Sequence, residues 1–269
     1  MNRVLSRAVL VALGALAFAA HAQSASNGHA AHEQKSIPRL ANGVPDFNGT
    51  WDNGSGIDHV QPQVQEDGSI CITGCAPRTG VRPPPDRPKY KPEFVAKVKD
   101  LEDRQVETDP VLRCRSPGLP RIGPPDKIVQ LPHEIVFLYD DVSGAFWRII
   151  PVDGRKHRED ADPSYLGDSV GRWEGDTLVI EAVNFNDDTW LTDDGSFHTT
   201  NLRVVEKIWR EGDKLIWQAT AYDPEVLAEP WTLRPRVMTK AKSELLEPVP
   251  CVEQDLKHIV DGSHHDNPR

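Results

Sequence analysis

Ser169-Val170-Gly171-Arg172-Trp173-Glu174-Gly175-Asp176-Thr177-Leu178-Val179-Ile180 decides the fold class. Two short runs rich in β-branched and aromatic residues flank Glu174-Gly175-Asp176. Gly supplies a positive φ cheaply there, so the stretch predicts a β-hairpin. The same device returns 37 residues later as Leu202 to Arg210, the turn Glu211-Gly212-Asp213, and Leu215 to Ala221. Two copies are too few for a solenoid or propeller, and they read as successive hairpins of a meander.

Working outward, Ile135 to Tyr139 and Phe146 to Ile150 flank Asp140-Asp141-Val142-Ser143-Gly144 and predict a third hairpin. Ile128 to Gln130 precedes it, and a first strand is expected around Phe47 to Trp51. Between them lies a polar, Pro-rich stretch including Arg82-Pro83-Pro84-Pro85, which cannot pair as a central strand. Inside it, Pro92 to about Leu101 predicts one short helix, with Pro in the first turn and Phe94, Val98 and Leu101 on one face. Asp109 to Asp126 carries Cys114 and five prolines and reads as irregular. Hairpins in sequence order with hardly any βαβ pattern predict an all-β fold. The expectation is an antiparallel up-and-down, lipocalin-like barrel of roughly eight strands or somewhat more, since closure removes exposed edges. A Pro-rich segment, 76–126, would wrap outside it.

The N-terminus combines Arg3 and Arg7, an apolar run from Ala8 to Ala20, and Ala20-His21-Ala22 before Gln23. That is the pattern of a removable signal peptide over 1–22, and the apolar run is too short to span a bilayer. The expected location is the periplasm or the exterior. A flexible leader (23–45), one barrel domain (46–257) and a disordered tail (258–269) follow. The formal charge of −10 becomes −12 once Arg3 and Arg7 are removed. That acidity, with no basic patch to offset it, argues against nucleic acid as a partner, and no second apolar run reaches membrane-spanning length. Cys71, Cys75, Cys114 and Cys251 form an even set, which favours disulfides in an exported chain and allows three connectivities. The shared short loop pairs Cys71 with Cys75, leaving Cys114 with Cys251. Metal or redox chemistry at Cys71 and Cys75 is the alternative, although a zinc site would need a second ligand pair.

Gly167-Asp168-Ser169-Val170-Gly171-Arg172-Trp173-Glu174-Gly175-Asp176-Thr177-Leu178-Val179-Ile180 resembles a segment shared by a group of exported bacterial proteins. Asp153 to His157, Asn184 to Leu191, Asp223-Pro224, Pro230-Trp231-Thr232, Cys114 and Cys251-Val252-Glu253 resemble the same group. The resemblance implies fold and compartment and no reaction. The chain departs from the group at Asp168, where a His often stands, and at Lys156, where Pro is common. A fainter similarity, to lipocalin-like barrels, rests on Gly49-Thr50-Trp51.

Candidate chemistry concentrates in two connections. In the first, Asp153 to Asp168, His157 is a candidate acid or base, and Arg155 and Tyr165 are candidate ligand contacts. The bland alternative is a solvated turn. The second, Asn184 to His198, holds Asp187, Asp188, Trp190 and His198 and is long for a hairpin connection. Its carboxylates and His suit proton transfer, or oxygen ligation of Ca²⁺ without the spacing of a twelve-residue Ca²⁺ loop. Trp190 is the candidate stacking residue, and an inward Arg172 would need Glu206 or Glu181 as partner. The histidines His29, His32, His258, His264 and His265 read as parts of mobile ends. Ser169 fits a nucleophile elbow only as a string, because strand rather than helix follows it. No motif calls for an organic cofactor or a metal. The leading expectation is a barrel whose mouth, rimmed by 153–168 and 184–198, binds a small apolar or aromatic molecule. The rivals are a cofactor-independent hydratase, lyase or isomerase using His157, His198 and Asp187 or Asp188, and an envelope structural protein. The sequence leaves the oligomeric state open.

Overall fold

Among the described residues, nine strands run in sequence order around a nearly closed barrel. A computed structural model describes residues 37–53, 63–64, 70–71, 86–247 and 251. The segment read as a signal peptide, most of the expected leader, Cys75, much of the Pro-rich stretch and the expected tail lie outside the described residues. The strands are β1 (Gly49–Asp52), a separate pair β2 (Gln63–Val64) and β3 (Ile70–Cys71), β4 (Lys127–Gln130), β5 (Glu134–Asp141) and β6 (Gly144–Pro151). Then come β7 (Asp168–Glu174), β8 (Thr177–Val183), β9 (Arg203–Glu211), β10 (Lys214–Tyr222), β11 (Trp231–Thr232) and β12 (Arg236–Lys240).

The spatial order is β6-β5-β4-β1-β12-β10-β9-β8-β7, with β11 beside β10. Every ladder in it is antiparallel. β1 closes the circle by pairing with both β4 and the last strand, β12. This is the expected all-β, up-and-down barrel.

The strand number has a geometric consequence. With nine alternating strands the first and last point the same way, so the remaining gap, between β6 and β7, lies between parallel strands. No ladder joins β6 to β7 among the described residues. Side chains close the seam instead. Arg148 Nη2 donates to Ser169 Oγ at 2.8 Å, and Gly171 faces Ile150 and Val152 so closely that a Cβ would lie 3.0 Å from each.

Both repeated turns are two-residue loops, Gly175-Asp176 between Glu174 and Thr177 and Gly212-Asp213 between Glu211 and Lys214. The glycines sit at φ +60° and +62°, as a primed hairpin turn with Gly first requires.

The helix forms where expected: a 3₁₀ turn at Pro92–Phe94 leads into α1 (Val95–Asp103), followed by the single turn α2 (Gln105–Thr108). Val98 and Leu101 pack against the core, and Phe94 meets Phe197 edge to face at 5.9 Å. The chain crosses α1 at Gly195, where a Cβ would lie 2.6 Å from the Glu102 backbone nitrogen. No other residue fits there. A Cys114–Cys251 disulfide with Cα atoms 5.7 Å apart clips the C-terminal segment to the turn after α2, as expected.

Residues 37–45, read as leader, carry contacts of their own: the Leu40 N–H donates to the Val44 carbonyl, and Arg39 grips Asp176 bidentately at 2.7 Å. Two oppositely charged forks at that distance hold this segment on the β7–β8 turn.

Candidate functional site

Period-two alternation along β6 turns Phe146, Arg148 and Ile150 inward. The same rule on β9 turns Val204, Glu206 and Ile208 inward. One member of each trio is charged, and the two charges meet: Arg148 Nη2 lies 2.7 Å from Glu206 Oε2, both side chains sealed from solvent. Trp217 Nε1 donates to Glu206 Oε1 at 2.9 Å, and Arg148 Nη1 donates to the Tyr139 hydroxyl at 3.1 Å. Burial works against the Arg148 charge, but Glu206 and Tyr139 outweigh it and hold its pKa above the ordinary arginine value. Two buried valences stay open. Arg148 Nε has no acceptor, and Glu206 Oε2 is close to Nη2 without hydrogen-bond alignment. With Trp51, Phe137 and Trp217 also fully buried, side chains fill the barrel interior.

A slot of about 570 Å³ follows the β6/β7 seam under the 152–167 connection. Arg148 and Ser169 line its floor, and Phe146, Trp147, Ile149, Tyr165 and Leu166 its walls. Arg155, Lys156, Arg158 and Asp168 line it as well. Trp147 is 64% and Ile149 46% exposed, a large apolar surface left wet on a barrel wall. Two roomier cavities lie elsewhere. One of about 920 Å³ is lined mainly by Asp and Arg side chains, including Asp126, and one of about 700 Å³ lies beside Arg203 and Tyr222. The slot is the better candidate because it joins apolar walls, a buried polar floor and the residues of the 153–168 connection.

Arg155 and Tyr165 share one cavity, with Arg155 also held to Asp153 at 2.6 Å. His157 leans on the barrel wall beside it. Its Nδ1 lies 2.9 Å from Asp168 Oδ2, and its Nε2 is 3.5 Å from Glu181 Oε1 with no hydrogen-bond partner. Burial alone would raise the Asp168 pKa, but hydrogen bonds from His157 and Arg158 outweigh it and hold it below the usual carboxylate value.

The second connection behaves differently. Phe185, Trp190, Leu191 and Phe197 are buried in the main core, so 184–198 is a packed cap rather than the rim of an open mouth. His198 is sealed with both ring nitrogens engaged, Nε2 with the Thr189 hydroxyl at 2.7 Å and Nδ1 with the Thr199 carbonyl at 3.0 Å. Desolvation lowers its pKa. Asp187 and Asp188 face solvent. No hydrogen bond or ion pair joins either carboxylate, or His198, to His157 among the described residues. Asp187 is near enough to His198 to act against its desolvation, whereas His157 is engaged with Asp168 and Glu181 instead of this group. Trp190 is core, 5% exposed, with the Arg121 guanidinium 5.7 Å from its ring, and it is not a slot wall.

Arg172 points outward and pairs with Glu174 at 2.6 Å. The partners an inward Arg172 would need are taken, Glu206 by Arg148 and Glu181 by Arg203 at 2.9 Å. The buried arginine of the barrel is Arg148. Its signal is present in the sequence as a charge at the inward phase of Phe146-Trp147-Arg148-Ile149-Ile150.

Among the described residues no group of three or more His, Cys, Asp or Glu side chains is placed to hold a metal ion. No family model, curated protein or solved structure matches the chain.

Proposed function

We propose that this chain is an exported binding protein, working in the periplasm, that holds a small apolar or aromatic molecule in the seam slot. The observation carrying the reading is the exposed Trp147 and Ile149 beside a cavity whose other walls are Phe146, Tyr165 and Leu166. Covering such surface is favourable by roughly 25 cal/mol per Å² removed from water, and small-molecule sites pair apolar and aromatic walls with polar groups that fix orientation. The barrel supplies a rigid wall. The single unladdered seam supplies the opening, because only there is side-chain packing rather than backbone hydrogen bonding the closure. The site lies on the barrel flank, under 153–168 alone, and 184–198 plays no part in it.

The acid–base alternative narrows to one pair, His157 with Asp168. Asp168 orients Nδ1, but the free Nε2 faces Glu181 instead of a substrate space. Binding without chemistry is therefore the better supported reading.

Titration of the protein with the neutral fluorophore N-phenyl-1-naphthylamine tests it. Saturable binding at one site per chain, weakened at least tenfold by Trp147→Ala, is the expected result. Absence of saturable binding, or binding indifferent to that substitution, defeats the proposal.

A further inference from the structure

Resting on that reading, we infer that the slot is built for an organic acid with two distinct ends: a carboxylate at the rim and an uncharged oxygen at the floor. The rim carries Arg155, Lys156 and Arg158 in a chain whose formal charge is −10. Arg155 is matched by Asp153 and Arg158 by Asp168. Lys156 makes no hydrogen bond or ion pair with any described residue, so its charge and three donors are unspent at the entrance. An anion entering the slot meets it first.

The floor has the opposite requirement. Ser169 Oγ accepts from Arg148 Nη2 at 2.8 Å, which leaves its own hydroxyl hydrogen to donate. A hydroxyl donor on the slot floor calls for an oxygen acceptor. Glu206 already neutralises Arg148, so a second anion beside them would be repelled as well as desolvated. The floor therefore suits a hydroxyl or carbonyl oxygen, with the apolar body lying against Trp147 and Leu166.

Four probes separate the two ends: 6-hydroxy-2-naphthoate, 2-naphthoate, 2-naphthol and N-phenyl-1-naphthylamine. The hydroxy acid is expected to bind tightest. Lys156→Gln should weaken both acids about three- to fivefold, the scale of an exposed charge contact, and leave 2-naphthol unchanged. Ser169→Ala should weaken both hydroxyl-bearing probes by about tenfold, the scale of a lost buried hydrogen bond, and leave 2-naphthoate unchanged. Higher salt should weaken the acids only. If all four probes bind within threefold of one another, the two-ended inference fails while the apolar slot survives. If none saturates, both fall.

Discussion

Replacing Arg148 with Leu is expected to be among the most damaging single substitutions in this barrel. At a closest approach of 2.7 Å, and with an effective dielectric of about 20, the Arg148–Glu206 attraction is about 6 kcal/mol. Desolvating two ions costs several kcal/mol each, so the pair as a whole is worth little against a well-packed apolar replacement. Removing one partner is another matter. Arg148→Leu leaves Glu206 fully buried with Trp217 Nε1 its remaining hydrogen-bond donor, and it strips the Tyr139 and Ser169 hydroxyls of their partner. The expected loss is about 3–5 kcal/mol, a large fraction of the roughly 5–15 kcal/mol that holds a domain folded. Glu206→Leu should cost a similar amount. The double variant Arg148→Leu/Glu206→Leu should return to within about 2 kcal/mol of the parent, because no orphaned charge remains. Urea unfolding followed by tryptophan fluorescence, with the disulfide intact, reads all three. A loss below about 1 kcal/mol for Arg148→Leu, or a double variant equal to the sum of the singles, would refute the argument that the buried charges are coupled.

Four further outcomes follow from the same geometry. Burial pushes the Asp126 carboxyl up to about 6, so the folded state holds a proton the unfolded chain has lost; this contribution rises as pH falls from about 6 toward 4. Asp126→Asn should abolish that dependence, read from urea midpoints at several pH values. His198 works in the opposite direction: its pKa is lowered, so stability is lost as pH falls below 6.5, and its imidazole resonances in NMR should titrate at a lower pH than those of a free histidine. Replacing Cys114 and Cys251 together by Ala opens a 137-residue loop and should cost up to about 5 kcal/mol in the chain-entropy model, measured by thermal or urea unfolding. Gly171→Ala forces a methyl against Ile150 and Val152 at 3.0 Å and should cost about 1–3 kcal/mol, read from urea unfolding.

Much of the architecture was legible because it rests on local chemistry. Gly-Asp turns between β-branched runs mark their hairpins wherever they occur, and Gly175 and Gly212 take the φ values that reading requires. The helix at Pro92 and the Cys114–Cys251 pairing were likewise readable from short-range pattern and from elimination. The site was less legible. Arg155 and Tyr165, read as ligand contacts, line one surface slot. His198 and Trp190 are buried instead, since a long polar loop reads as exposed until its Trp, Leu and Phe are seen packed into the core.

Period, turn chemistry and cysteine count are properties of neighbouring residues, and they sufficed to set the all-β class, the hairpin order and one disulfide. Which charges are buried depends on the phase of two strands 58 positions apart, Arg148 and Glu206, and no local window couples them. The direction of the seam is a matter of parity: the nine ring strands among the described residues leave β6 and β7 parallel, and that is settled only when β1 closes onto β12.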